Sequence, residues 1–257
     1  MSRNASPVMA LGLMSGTSMD GIDVAAITTD GVRVTDIGPA LSVPYDPVLR
    51  RRLKAAMAGG GDDKLERDLT LANGVVVEKL LSENGLAAAD IAVIGFHGQT
   101  ILHDPANGVT RQLGDGALLA NETAISVVND FRSADMAAGG EGAPMAPLYH
   151  AALAASSRGP ERPLCVLNIG GVANVTWLGE GEGEIMAFDC GPGNALLDDW
   201  TARTIGRAMD EGGRLARGGA ADWSLVTEFM GRSYFAQAPP KSLDRNTFAA
   251  ALSRLDE

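Results

Sequence analysis

The sequence predicts an α/β protein of two lobes with mixed sheets, the second lobe incomplete. Three observations carry that expectation. Two glycine-rich hairpins of one design stand far apart, in residues 11–27 and 166–178. In the first half, helical apolar stripes precede a continuous apolar run, the mark of a buried parallel strand after a crossover. The second half opens with another hairpin and one further strand, then offers no more strand signals.

The elements follow in order. In LGLMSGTSMDGIDVAAI an apolar run ends in Ser15-Gly16-Thr17-Ser18, turns through Asp20-Gly21 and resumes as an alternating run at Ile22. This reads as strand, glycine loop, antiparallel strand. Residues 32–43 form a third strand. Asp46-Pro47 supplies an N-cap and a first-turn proline for a helix with Leu49, Leu53, Ala56 and Met57 on one face. Gly59-Gly60-Gly61 ends it. Leu65, Leu69, Ala72, Val76 and Leu80 stripe a longer helix, stopped by Gly85. A buried strand covers 91–96, Asp115 caps a helix through Leu118 and Leu119, and a short strand covers 125–128. The second lobe begins with a helix over 145–155. Strands follow over 163–168, 173–178 and 184–188, then helices over 195–205 and 223–230, and Pro239-Pro240 marks a loop. The lobes are expected over residues 1–134 and 135–257, with Gly139, Gly140 and Gly142 as a hinge near the junction. With aromatics at 5%, the core is expected to use small-residue packing rather than aromatic clusters.

Composition narrows the function. The 257 residues suffice for one large or two modest cores. A net charge of −11 argues against nucleic acid or an anionic membrane as partner, since both attract basic surface. Two cysteines, Cys165 and Cys190, make no disulfide scaffold. Residues 8–14 are too short and glycine-broken for a signal segment, and no long uncharged apolar run spans a membrane. A soluble cytoplasmic protein is the expectation.

Four segments carry candidate chemistry. Residues 15–23 lack the G-x-x-x-x-G-K-[ST] spacing and join two strands, so a phosphate grip there would come from backbone N–H groups and the Thr17 and Ser18 hydroxyls. Asp20 and Asp23 offer hard oxygen ligands for magnesium. A hairpin turn in which Asp20-Gly21 serves geometry alone fits equally well. Two such loops facing each other would hold the phosphates of one nucleotide, which suggests phosphoryl transfer. Second, Phe96-His97-Gly98-Gln99-Thr100 follows a buried strand, where ligands of open sheets sit. His97, Gln99 and Thr100 can bond a polyhydroxyl substrate, or His97 is a loop histidine in water. Third, in residues 129–135 Arg132 offers a planar fork for a carboxylate or phosphate, or pairs locally with Asp130 or Asp135. Fourth, Asp189 stands at a strand end before Gly191-Pro192-Gly193-Asn194, placed for a general base, or it caps the following turn.

Together these segments resemble the anhydro-N-acetylmuramic acid kinase family, of the actin, sugar-kinase and Hsp70 superfamily. The matching motifs are G-x-M-S-G-T-S-x-D-G-x-D at 12–23, H-G-Q-T at 97–100, D-F-R-x-x-D at 130–135, N-I-G-G-x-A-N at 168–174 and D-x-G-P-G-N at 189–194. The resemblance implies a two-lobed actin-like ATPase (ribonuclease H-like) fold with ATP in its cleft and Mg2+ on the phosphates. Gly16, Thr17, Ser18, Met19, Asp20, Gly21, Ile22 and Asp23 correspond to the first phosphate loop, and Gly170 and Gly171 to the second. Asp189 falls on the catalytic aspartate, and His97 and Arg132 in segments that border the sugar site.

The implied reaction opens the 1,6-anhydro ring of 1,6-anhydro-N-acetylmuramic acid and phosphorylates O6, giving N-acetylmuramic acid 6-phosphate in bacterial peptidoglycan recycling. The implied partner is a small-molecule amino sugar, and a homodimer is allowed. Glu141 and Cys190 depart mildly from the family pattern, and residues 241–245 follow K-S-T-G-R only loosely. Family members continue through a C-G-G-G-x-x-N segment absent here, so the chain is expected to be C-terminally truncated with weakened ATP binding. A non-catalytic remnant and a kinase for another sugar are the rival expectations.

Overall fold

A computed structural model describes residues 6–16, 19–156, 161–181, 183–243 and 247–248. The chain divides into two compact units, Met1–Pro160 and Glu161–Glu257.

In the first unit, β1 (Val8–Met14), β2 (Gly21–Thr29) and β3 (Val34–Pro44) precede the helices α1 (Pro47–Gly59) and α2 (Asp63–Glu83). Then come β4 (Val93–Phe96), β5 (Gln99–Asp104), β6 (Val109–Leu113), α3 (Gly116–Thr123), β7 (Val127–Asn129), α4 (Phe131–Ala137) and α5 (Pro147–Ala154). The main sheet has the order β3-β2-β1-β4-β7. β1 runs antiparallel to β2 and parallel to β4, and β4 runs parallel to β7. This α/β unit with a mixed sheet has the five expected strands.

Local sequence explains most elements. On β2, Ile22, Val24 and Ala26 are buried while Asp23 and Ala25 face outward, the period of two that half-buried strands require. The Asp46 carboxylate accepts the N–H groups of Val48 and Leu49 at 2.8 and 3.2 Å and caps α1. Asp62 accepts from Leu65 at 2.7 Å and caps α2. Leu69, Val77 and Leu80 of α2 are at most 1% exposed; burying each is worth about 1.5–3 kcal/mol.

The β5–β6 hairpin is an element the sequence reading passed over. Its signal is present in Asn107-Gly108, where Gly108 adopts φ +67° in the turn. The polar His103, Asp104 and Thr110 obscured the alternation.

The expected lobe boundary at 134/135 falls inside α4. Arg132 Nη1 donates to the Gly142 carbonyl at 2.6 Å and the Gly142 N–H to Asp135 Oδ2 at 2.8 Å, so the chain through residue 142 is tied to the first unit.

The second unit contains β8 (Leu164–Ile169), β9 (Val172–Leu178), β10 (Ile185–Pro192), α6 (Asn194–Ile205), α7 (Arg214–Arg217) and α8 (Trp223–Met230). Its three strands form an antiparallel sheet in the order β10-β9-β8. Small-residue packing does not describe this unit: Phe229, Tyr234, Phe235 and Phe248 form an aromatic cluster, with Phe235 and Phe248 stacked at 5.7 Å. Among the described residues no helix is long and apolar enough to cross a membrane.

Gly21 shows how tightly β2 and β3 approach. A Cβ there would lie 2.3 Å from the Val43 carbonyl oxygen and 2.9 Å from Pro44 Cα, both backbone atoms. Gly21→Ala is therefore expected to cost on the order of 2 kcal/mol, read as a lowered urea midpoint; an unchanged midpoint would contradict this close approach.

Candidate active site

Three segments of the first unit leave the main sheet at the same end. The register Leu13↔Phe96 and Phe96↔Asn129 aligns the ends of β1, β4 and β7, and the His97 N–H extends it by donating to the Leu13 carbonyl at 3.1 Å. After β1 comes the glycine loop, after β4 the segment His97–Thr100, and after β7 the segment bearing Arg132.

The glycine loop is more occupied with its own fold than the sequence suggested. Thr17 and Ser18 lie outside the described residues. The Met19 N–H donates to the Gly16 carbonyl at 3.1 Å, and Met19, at φ +53°, buries its side chain in the core. The Met19 carbonyl accepts Arg50 Nε at 2.7 Å, and Arg50 Nη2 lies 3.1 Å from Asp20 Oδ1, an exposed pair worth at most about 1 kcal/mol. Ile22 is a core residue, and Asp23 accepts the Ser42 hydroxyl. Among the described residues no three acidic, histidine or cysteine side chains converge as a metal site.

His97 and Arg132, 35 residues apart, meet. Arg132 Nη2 lies 2.8 Å from His97 Nε2, and His97 Nδ1 lies 2.8 Å from the Gly98 carbonyl. The guanidinium can only donate, so Nε2 accepts and Nδ1 carries the proton toward Gly98. Both ring nitrogens are thus spent within the protein, and His97 orients Arg132. Burial, followed by the Arg132 charge, pushes the His97 pKa down to about 4, with the Gly98 carbonyl working the other way. Among the described residues Arg132 pairs with no carboxylate: Asp130 accepts the Ser133 hydroxyl and Asp135 the Gly142 N–H. Arg132 Nε is buried without a partner.

Gln99 is not placed for substrate. It is fully buried, its Oε1 accepting the Ser15 hydroxyl at 2.7 Å and its Nε2 donating toward the Gly16 carbonyl at 3.3 Å.

In the second unit the Gly170-Gly171 turn joins β8 to β9. Its carbonyls receive the start of α6: Asn194 N–H donates to Gly170 at 2.8 Å, and Gly193 and Ala195 donate to Gly171 at 3.0 and 3.2 Å. A Cβ at residue 193 would sit 2.2 Å from the Gly170 carbonyl oxygen, so only glycine allows this approach. The Gly170 N–H is committed to the Val172 carbonyl at 3.2 Å.

Asp189 lies on β10 opposite Asn174, where a bulge spans Asp189 to Gly191. The Leu243 N–H donates to its Oδ2 at 2.8 Å, the Tyr234 hydroxyl donates to its carbonyl at 2.5 Å, and its own N–H donates to the Lys241 carbonyl at 3.1 Å. Burial raises the Asp189 pKa, against the opposing Leu243 hydrogen bond. The Lys241 ammonium sits over the Tyr234 ring at 4.7 Å and donates to the Tyr234 carbonyl. The reading of residues 241–245 as a loose motif did not anticipate that 241–243 clasp Asp189, because the contact spans 54 residues.

The family model described as anhydro-N-acetylmuramic acid kinase matches residues 8–255. The chain belongs to that family. It is 54% identical over 244 residues to an anhydro-N-acetylmuramic acid kinase of Paramagnetospirillum magneticum, covering 95% of this chain and 68% of that protein. A protein of the same name from Rhodospirillum rubrum is 51% identical over 250 residues, with 94% and 64% covered. One from Rhodopseudomonas palustris is 47% identical over 258 residues, with 96% and 70% covered. The chain thus spans about two thirds of the length of these kinase relatives. The family match runs through both glycine turns, the His97–Arg132 pair and Asp189.

The His97 shift has a sign that can be checked. Its folded pKa lies below the unfolded value of 6.5, so the associated stability is present above pH 6.5 and is lost as pH falls toward about 4. With partial exposure discounted, wild type is expected to lose on the order of 2 kcal/mol more than His97→Gln over that interval. Urea unfolding at a series of pH values measures the difference; parallel stability curves would contradict the neutral-imidazole assignment.

Proposed function

We propose that this chain is an ATP-dependent kinase that opens the 1,6-anhydro ring of 1,6-anhydro-N-acetylmuramic acid and phosphorylates O6, giving N-acetylmuramic acid 6-phosphate for peptidoglycan recycling in the cytoplasm. The clasped, half-buried Asp189 is the observation that carries this reading, with family membership behind it. A match running unbroken over 8–255 does not favour a non-catalytic remnant.

In this reading Asp189 takes a proton from water as the water oxygen bonds to the anomeric carbon. The anomeric carbon–O6 bond breaks, O6 bonds to the γ-phosphorus, and the bond to the β-phosphate oxygen breaks to release ADP. The Leu243 N–H holds one carboxylate oxygen, which leaves the other to face the water. Burial lifts the basicity of Asp189 above that of an ordinary carboxylate, which matches a base better to neutral pH.

The glycine turns at Gly16 and Gly171 each offer backbone N–H groups of the kind that bind phosphate. Met19, Gly21, Ile22 and Gly170 contribute to ATP binding through loop shape, since their side chains or N–H groups are engaged in the fold. Magnesium on the phosphates would balance their charge. His97 holds Arg132 for the sugar. An actin-like, ribonuclease H-like fold of two lobes is the architecture proposed for this scheme, and the mixed sheet β3-β2-β1-β4-β7 and the antiparallel sheet β10-β9-β8 support it.

Asp189→Asn is expected to lower kcat by roughly 10²–10⁴-fold in ATP-dependent phosphorylation of the anhydro sugar, with KM for ATP near wild type. Wild-type kcat/KM should show an acid limb above the ordinary carboxylate value of 3.8, because burial raises the Asp189 pKa. Equal activity in the Asn variant would remove Asp189 from the base role.

A further inference from the structure

We propose that Gln99 is a positioning residue for the nucleotide loop, whose buried amide sets the height of the Gly16 turn and thereby governs ATP affinity. The inference rests on the reading of residues 16–23 as a phosphate loop.

Gln99 opens β5 and is 0% exposed. Burying a primary amide is costly unless its hydrogen bonds are met, and here each polar atom finds protein. Oε1 accepts the Ser15 hydroxyl at 2.7 Å, while Nε2 faces two carbonyls, Gly16 at 3.3 Å and Thr100 at 3.4 Å. A hydroxyl donor on one side and two carbonyl acceptors on the other fix the amide's orientation, since turning it over would set Oε1 against carbonyl oxygens. Gln99 therefore acts through Ser15 and Gly16 rather than on a ligand.

Ser15 is itself only 4% exposed. On its other side the buried Tyr45 hydroxyl lies near Ser15 and Asp23 without a hydrogen bond of normal geometry, so the Ser15 proton goes to Gln99. The strut thus joins the last residues before the loop to a segment 83 residues away, itself anchored by the parallel pairing of β1 with β4. Backbone N–H groups bind an oxyanion well only within a few tenths of an ångström of their ideal distance. A loop released from this strut should grip phosphate less well while the chemistry at Asp189 proceeds.

Gln99→Met keeps the side-chain volume and removes the amide; Ser15→Ala removes the partner on the loop side. Each variant is expected to raise KM for ATP about tenfold, the effect of one lost hydrogen bond, with kcat and KM for the anhydro sugar near wild type. The double variant should be no worse than Gln99→Met alone, because the Ser15 hydrogen bond is already lost in that variant. An unchanged KM for ATP in the folded variants would overturn the proposal, as would an equal rise in both KM values. If Gln99→Met does not fold, Ser15→Ala decides by the same split. A folded wild type without ATP-dependent turnover would instead overturn the phosphate-loop reading itself.

Discussion

The parallel pairing of β1 with β4 is the constraint on which the first unit's site depends. It sets Leu13 beside Phe96, so the glycine loop and the His97 segment leave the sheet side by side. The pairing of β4 with β7 then brings Arg132 to the same end. A slip of one residue in either register would turn Phe96 and Ile94 out of the core and send His97 to the opposite face. The core thus enforces the register, with Ile94 and Phe96 at most 1% exposed.

Within that frame the polar groups are spent on one another. His97 serves Arg132, Gln99 serves Ser15 and Gly16, and Arg50 serves Met19 and Asp20. The low dielectric of a half-buried site strengthens such bonds and makes each unmet group costly. That the Tyr45 hydroxyl and Arg132 Nε stay unmet therefore marks where the network is open.

The second unit holds its acid differently. Asp189 sits at a bulge and is fastened on three sides by Leu243, Tyr234 and Lys241. Desolvation and the Leu243 hydrogen bond oppose one another at the carboxylate, and desolvation prevails. Tyr234, one of these fasteners, also belongs to the aromatic cluster with Phe229, Phe235 and Phe248. That cluster gathers in one unit aromatics that the low overall content had suggested were dispersed.

By itself the sequence determined what depends on near neighbours. An apolar run and an alternating run around a glycine loop marked β1 and β2, a second glycine hairpin marked β8 and β9, an apolar stripe marked α2, and Asp46 and Asp115 announced their caps. It also singled out both glycine turns, His97, Arg132 and Asp189. Only the tertiary structure decided their duties. Gly21 answers to the backbone of β3, Gln99 belongs to the loop rather than to a ligand, and residues 241–243 belong to Asp189. The physical reason is that caps and periodicities are settled within a few residues, whereas a hydrogen bond between groups 35, 54 or 83 positions apart exists only once strand registers have brought them together.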